Sequence, residues 1–347
     1  MSPHSNPLVT VLMPTYKRPL LLPRAIQCVL NQTYPHFKLC IYDDASGDNT
    51  REVVNKFIKN DSRIIYSCNE KNLGAMNFFE AMAKVDTPFF TFCADDDVLL
   101  PQHLELAMEG FIKYPHAGMA YNQVVSMNEQ GKIIFVSHLD SPAGLYSPAE
   151  SMRLLLKDPG LITGMVIRKS VLESGITVDK DMGMLWDWDF CFKALAKFPL
   201  VVTQKPGCIF NAHSGSYVVA SMGKFQWPEW LKMYQNIANH PDLDLETRKE
   251  IKLRLNKRLR SLAVKQGKEA ILSKNHILVG LVTNVLKDYF GSYRLYFKLK
   301  IIALLCTLFP PNRWFLILIK KARFNKKVRK GNIRYKNYQI LEKYLKI

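Results

Sequence analysis

The sequence predicts an α/β fold: a mixed, mainly parallel sheet flanked by helices, followed by a helical and strongly basic module. Three observations carry this reading. Short apolar runs of strand length alternate with helical patterns of about ten to fifteen residues, the mark of a parallel sheet with right-handed crossovers. Two carboxylate clusters, Asp43-Asp44 and Asp95-Asp96-Asp97, stand where two of those runs end. Charge is also divided: residues 251–347 hold 24 Lys/Arg against 3 Asp/Glu, a net of +21, while the first 250 hold 24 against 27, a net of −3. Such a basic module points to a polyanionic surface as its partner.

Leu8 to Met13 predicts a first buried strand, stopped by Pro14. Thr15-Tyr16-Lys17-Arg18-Pro19 is then a polar loop, and Leu20 to Gln32 an amphipathic helix that tolerates Pro23 in its first turn. Phe37 to Tyr42 predicts a second strand running into Asp43-Asp44, and Ala45 to Asn49 a turn before a helix over Thr50 to Lys59. A third strand at Arg63 to Ser67, the polar stretch Asn69 to Gly74 and a helix over Ala75 to Lys84 follow. The apolar run from Phe89 to Ala94, ending in Asp95-Asp96-Asp97, is the fourth strand, and Val98-Leu99-Leu100-Pro101 opens a new helical pattern. After a fifth strand at Ala117 to Tyr121, Val124 to Val136 reads as a hairpin around Asn128-Glu129-Gln130-Gly131. Leu161 to Ile167 is another strand, in which Gly164 lets backbone or ligand come close. Leu200 to Thr203 is one more, followed by the apolar segment Cys208 to Phe210.

In an open α/β sheet, ligands collect in the crevice beyond the carboxyl ends of the strands. Three adjacent negative charges repel one another, and make most sense beside a cation. If that segment stays extended, Asp95 and Asp97 face one side and address one ion, while Asp96 points away. Hard oxygen ligands suit magnesium or manganese, the ions that accompany a diphosphate. The alternative is that Asp97 caps a helix beginning near Val98. No GxGxxG follows the first strand, which argues against a dinucleotide-binding domain, and the lack of GxxxxGK[ST] excludes a P-loop.

Met13-Pro14-Thr15-Tyr16-Lys17-Arg18, Tyr42-Asp43-Asp44-Ala45-Ser46-Gly47-Asp48, Asn72-Leu73-Gly74 and Asp95-Asp96-Asp97 occur in that order. Together the four motifs resemble the family 2 inverting glycosyltransferases of GT-A fold, over roughly Leu8 to Tyr217. The resemblance implies a nucleotide-sugar donor, usually UDP-linked, and a divalent metal (Mn2+ or Mg2+). It implies that Pro14, Thr15, Tyr16 and Arg18 line the nucleotide pocket, that Asp44 with Asp43 binds the base, and that Asn72 and Gly74 flank the donor. Asp95-Asp96-Asp97 then matches the DxD element, with Asp97 the direct metal ligand and Asp95 or Asp96 facing ribose and sugar. Asp95 is a further candidate for the metal.

Met184-Leu185-Trp186-Asp187-Trp188-Asp189 begins a helix running to about Lys197, with an apolar face to bury. Its two carboxylates read either as a first turn favoured by the helix dipole or as the source of a general base. A sugar transferase must deprotonate an acceptor hydroxyl, and a carboxylate in an aromatic surround suits that task. The family pattern here is Glu-Asp-x-Asp, so the resemblance makes Asp187 the base and Asp189 the following acid, with Trp186 in place of the usual Glu. Gly164, Trp186 and Asp189 are accordingly the acceptor-side candidates. His213, within His213-Ser214-Gly215-Ser216-Tyr217, matches a family His that approaches the metal or diphosphate; read alone, a single His is as readily structural.

The chain is thus expected to divide into a GT-A catalytic domain over 1–222, whose donor half ends near 122, and a helical module over 223–347. In the module, Glu246 to Gln266 is a basic amphipathic helix and Ile277 to Tyr289 another helical stretch. The apolar runs Leu295 to Phe309 and Arg313 to Lys321 are too short to span a membrane, but their flanking Lys/Arg fit an interfacial helix on an anionic leaflet. The alternatives are packing on the catalytic domain or on another subunit, giving an oligomer. Nucleic acid is not expected as a partner, since no RNP, zinc-finger or helix-turn-helix signature is present. Seven cysteines without CxxC spacing read as reduced core residues of a cytosolic protein. Neither a signal-peptide pattern nor about 18 uninterrupted apolar residues is visible. The expected function is sugar transfer to an acceptor hydroxyl of a surface polysaccharide or lipid-linked glycan, at the inner face of the cell membrane. Two readings compete: a nucleotide-diphosphate-binding subunit without transfer activity, and a membrane-surface scaffold whose carboxylates only cap helices.

Overall fold

The computed structural model describes residues 7–137, 140–157, 162–213, 215, 227–308 and 336–345. Leu161, Ser214, Ser216, Tyr217, the expected domain boundary at 222/223 and the run from Arg313 to Lys321 lie outside the described residues. The first part of the chain runs β1 (Val9–Thr15), α1 (Leu22–Leu30), β2 (Phe37–Asp43), α2 (Thr50–Ile58), β3 (Ile64–Cys68), α3 (Met76–Ala83) and β4 (Phe89–Phe92). Next come β5 (Val98–Leu99), α4 (His103–Lys113), β6 (Met119–Asn128), β7 (Ile133–Val136), β8 (Gly144–Tyr146) and α5 (Pro148–Lys157). They are followed by β9 (Met165–Arg168), α6 (Ser170–Glu173), α7 (Trp186–Lys197) and β10 (Leu200–Ala212). The rest is helical: α8 (Trp227–Ala238), α9 (Leu245–Leu272), α10 (His276–Asn284), α11 (Tyr293–Leu308) and a 3-10 segment, Lys336–Leu345.

The described strands form one mixed sheet in the order β3-β2-β1-β4-β9-β6-β10-β5, with β7 on β6 and β8 on β10. β3, β2, β1 and β4 are parallel, as the alternation of strands and helices predicts. All seven residues of β1 are buried, which explains its continuous apolar run: both faces of a central strand are covered. Pro14 does not stop it. Thr15 accepts from Asp44 N–H on the β2 side, so Pro14 faces the β4 side, and β4 pairing has already ended at Leu12.

The departures from the sequence reading are pairings between distant segments. β9 enters antiparallel between β4 and β6, and β5 runs antiparallel to β10. Val98-Leu99, expected to open a helix, is β5; the helix starts at His103, so Asp97 caps no helix. Leu200–Ala212 is one strand carried past Gln204 to Gly207 by bulges, rather than two pieces.

One apolar core runs from Val9 to Leu299, so the C-terminal helices pack against the sheet half. Arg153 of α5 bonds Glu250 of α9 at 2.6 Å. A smaller apolar cluster (Val98, Leu100, Val125, Met127, Ile133, Val136, Ile209) is covered by Tyr338, Leu341, Tyr344 and Leu345. Arg24 holds this last segment in place: it donates to the Leu345 carbonyl at 3.0 Å and to the Asp96 carbonyl at 2.7 Å. Cys40, Cys93, Cys191 and Cys208 are buried core residues as expected, whereas Cys68 is exposed.

Candidate active site

The carboxyl ends of β1, β2 and β4 lie side by side, and the loops beyond them converge. Thr15 donates its hydroxyl to Asp95 Oδ2 at 2.7 Å. Arg18 Nη1 reaches Asp95 Oδ1 at 2.8 Å and Asp96 Oδ2 at 2.5 Å, while Nη2 donates to the Gly215 carbonyl at 2.9 Å. His213 Nε2 stands 3.0 Å from the same Asp96 oxygen. Burial works against the Arg18 charge, but Asp95 and Asp96 outweigh it and raise the guanidinium above its ordinary value. Burial pushes Asp95 up, with Arg18 pulling it back.

The three carboxylates do not take the extended arrangement. Asp97 N–H donates to the Ala94 carbonyl at 3.1 Å, closing a turn, so strand alternation does not apply. Asp97 is 1% exposed. Its Oδ2 accepts from the Thr163 hydroxyl at 3.0 Å and its Oδ1 from Asn211 N–H at 3.1 Å. Burial, with the charge of Asp96 beside it, raises Asp97 well above the usual carboxylate range. Asp97 therefore packs inward, and Asp96 is the carboxylate that stands beside His213.

Asp44 organises the neighbouring loop. Its Oδ1 accepts from Leu73 N–H at 2.8 Å and Asn69 Nδ2 at 2.9 Å, and its Oδ2 from Gly74 N–H at 2.8 Å. Asn72 donates to the Asp44 carbonyl at 3.3 Å. Gly74 has φ +58°, a conformation that costs little only for glycine. Asp43 accepts from Ser46 N–H at 3.0 Å and from the Tyr66 hydroxyl at 2.6 Å. Tyr16 is exposed at the rim beside buried Thr15. Every donor-side residue of the sequence reading thus lies in this loop cluster or at its edge.

Asp187 is half-buried in the first turn of α7 and accepts from Trp188 N–H at 2.9 Å. Burial raises its carboxyl to about 6. Trp186 fills the position of the usual Glu with a buried indole, whose ring centroid lies 5.1 Å from Phe78, 5.3 Å from Phe79 and 6.0 Å from Phe92. This aromatic cluster ties α7 to α3 and β4. Trp186→Ala is expected to cost about 3–5 kcal/mol, read as a lower denaturant midpoint. Asp189 is wholly buried, ion-paired with Lys193 and bonded by Asn236 of α8 at 3.1 Å. Gly164 permits close packing within the protein, since a Cβ there would lie 2.7 Å from Val124 Cγ2 and 2.8 Å from the Asn122 carbonyl. A cavity of about 520 Å³ lined by Lys193, Asn236, Asn239 and His240 contains none of the crevice carboxylates.

Among the described residues, no three His, Cys, Asp or Glu side chains gather into a metal cage. The donor set that is present still fits a divalent ion. One hard carboxylate and one imidazole converge where the Arg18 guanidinium now supplies the positive charge, and magnesium-type sites draw remaining ligands from substrate phosphates and water. Sequence reasoning missed Thr163, Arg24 and Tyr66, which lock Asp97, the Asp96 carbonyl and Asp43. No local pattern marks them, because each acts on a residue distant in the chain.

Residues 10–175 match the profile described as Glycosyl transferase family 2. A chondroitin synthase of Pasteurella multocida (strain Pm70) is 30% identical over 132 residues, which are 38% of this chain and 14% of that protein. A GalNAc(5)-diNAcBac-PP-undecaprenol beta-1,3-glucosyltransferase of Campylobacter jejuni is 34% identical over 105 residues, 30% of this chain and 34% of that protein. The matches thus span well under half of these relatives. The crystal structure of S. aureus TarS 1-349 in complex with UDP-GlcNAc shares the fold, with a TM-score of 0.61 at 20% identity over 73% of this chain and 72% of that one.

Proposed function

We propose that this protein, whose residues 10–175 match the Glycosyl transferase family 2 profile and which shares the fold of TarS, is an inverting glycosyltransferase. It moves a sugar from a UDP-linked donor to an acceptor hydroxyl in surface-polysaccharide or lipid-linked glycan assembly, working at the inner face of a membrane. The observation that carries the reading is the convergence of Arg18, Asp44, Asp95, Asp96 and His213 beyond the ends of three adjacent parallel strands. A diphosphate bound there lies against Arg18, and Asp44 shapes the loop that receives the base. Asp96 and His213 would hold a divalent ion, with Asp95 orienting Arg18 and Thr15; when bound, the ion neutralises charge on the departing diphosphate.

Asp187 takes the proton of the acceptor hydroxyl as its oxygen bonds to the anomeric carbon and the bond to the diphosphate breaks. One displacement inverts that centre, so a product that retains donor stereochemistry refutes the mechanism. The lipid-linked acceptor is supported by the name of the C. jejuni relative, and UDP by the TarS complex.

The test is a thermal-shift panel of UDP-, GDP-, CMP- and dTDP-sugars with and without manganese. A rise with a UDP-sugar that requires manganese is expected, since ligands that bind the folded state stabilise it. No rise with any donor would return the carboxylates to a purely structural role.

A further inference from the structure

Helix α11 is apolar on two faces. One face is packed: Leu299 is 1% exposed and seated against Gly267 of α9, with Leu295, Ile302, Ala303 and Cys306 beside it. The other faces solvent with Tyr293, Phe297, Ile301, Leu304, Leu305 and Leu308, each between 49% and 62% exposed. Their spacing of three, four and one puts them in a single stripe along the helix. A contiguous exposed apolar stripe of this kind marks an interaction surface.

Charge selects the occupant. α11 carries no Asp or Glu, and Arg294, Lys298 and Lys300 are exposed along it. The surrounding module has a net charge of +21 over 251–347. Bringing two such modules together would oppose like charges, whereas an anionic lipid surface attracts them, at roughly 1 kcal/mol per basic residue near the headgroups. The sixteen described residues of α11 rise about 24 Å, against a hydrocarbon core of about 30 Å, Pro310-Pro311 follow in the sequence, and among the described residues no helix is long and apolar enough to span.

We propose that α11 lies in the plane of an anionic membrane, burying Tyr293, Phe297, Ile301, Leu304, Leu305 and Leu308 among the acyl chains with its basic residues at the phosphates. This deepens the membrane placement in the proposed function, but rests on a different surface from the carboxylate crevice. It would hold the catalytic half at the level where a lipid-carried acceptor presents its sugar.

The experiment is co-sedimentation of the full chain with vesicles of phosphatidylglycerol and phosphatidylethanolamine, or of phosphatidylcholine alone, at low and high salt. Binding to the anionic vesicles at least about tenfold tighter, and weakened by salt, is expected. The triple variant Phe297→Glu, Ile301→Glu, Leu305→Glu should lose at least that factor. A second variant, Arg294→Gln, Lys298→Gln, Lys300→Gln, changes only exposed side chains, at the loss of the Lys300 contact with the Tyr296 ring, and should weaken binding to anionic vesicles only. Equal binding to both lipids, no binding, or an unaffected basic variant overturns the proposal. So does a dimer in vesicle-free solution that the triple Glu variant converts to monomer, since a second copy then covers the stripe. UDP thermal shift without vesicles keeps the two proposals separable: a variant that loses vesicle binding but keeps its UDP shift supports α11, whereas a parent protein without a UDP shift counts against the crevice alone, and one without vesicle binding against α11 alone.

Discussion

Asp187→Asn is expected to lower turnover about 10²- to 10⁴-fold while leaving the manganese-dependent thermal shift with UDP unchanged. The amide keeps the shape and can still accept from Trp188 N–H, but it cannot take a proton. The parent enzyme should gain rate as pH rises through about 6 and level off above, because burial raises the Asp187 carboxyl to about 6 and only its ionised form is a base. Stability follows the opposite sign. A carboxyl raised above its unfolded value holds its proton more tightly in the folded protein, so the stability it contributes is fully present below the ordinary carboxylate range and is lost as pH rises through about 6. The Asn variant lacks that loss, and near pH 7 should melt no lower than the parent. A variant with near-normal turnover would remove Asp187 from the chemistry, and one that no longer binds UDP would make it a donor residue instead.

Asp96→Asn is expected to abolish the manganese-dependent part of the UDP shift. It removes the charge that faces both Arg18 and His213. Asp97→Asn is the informative partner. Its amide would turn a donor toward Asn211 N–H or the Thr163 hydroxyl, both of which already donate, costing about 1–3 kcal/mol of stability. The folded fraction should still bind UDP with manganese. If instead Asp97→Asn loses the metal response and Asp96→Asn keeps it, the ion ligand is Asp97 as the sequence reading had it.

The placement of these carboxylates shows where the sequence was legible. β1, α1, β2, α2, β3, α3 and β4 fall within two residues of their expected limits, since each is declared by its own periodicity and turn residues. Asp43, Asp44 and the three carboxylates could be placed at one sheet edge for the same reason. Which of Asp95, Asp96 and Asp97 faces the crevice depended on a single turn closed by Ala94, and on Thr163 and Asn211 arriving from far along the chain. Asp189 was read from the Glu-Asp-x-Asp resemblance, which gives no sign that Lys193 and Asn236 of α8 hold its carboxylate. Trp186 was read as a lost Glu, and only Phe78, Phe79 and Phe92 explain what it does there.

β5 is two residues long and ends the sheet on one side. A strand left bare at that position would offer unpaired backbone groups and the apolar side chains of Val98 and Leu100 to any other extended chain. Tyr338, Leu341, Tyr344 and Leu345 cover that apolar surface, and Arg24 fastens them down. Removing the Lys336–Leu345 segment would uncover that apolar surface. A protein shortened before it should precipitate on concentration, even if its sugar chemistry survives.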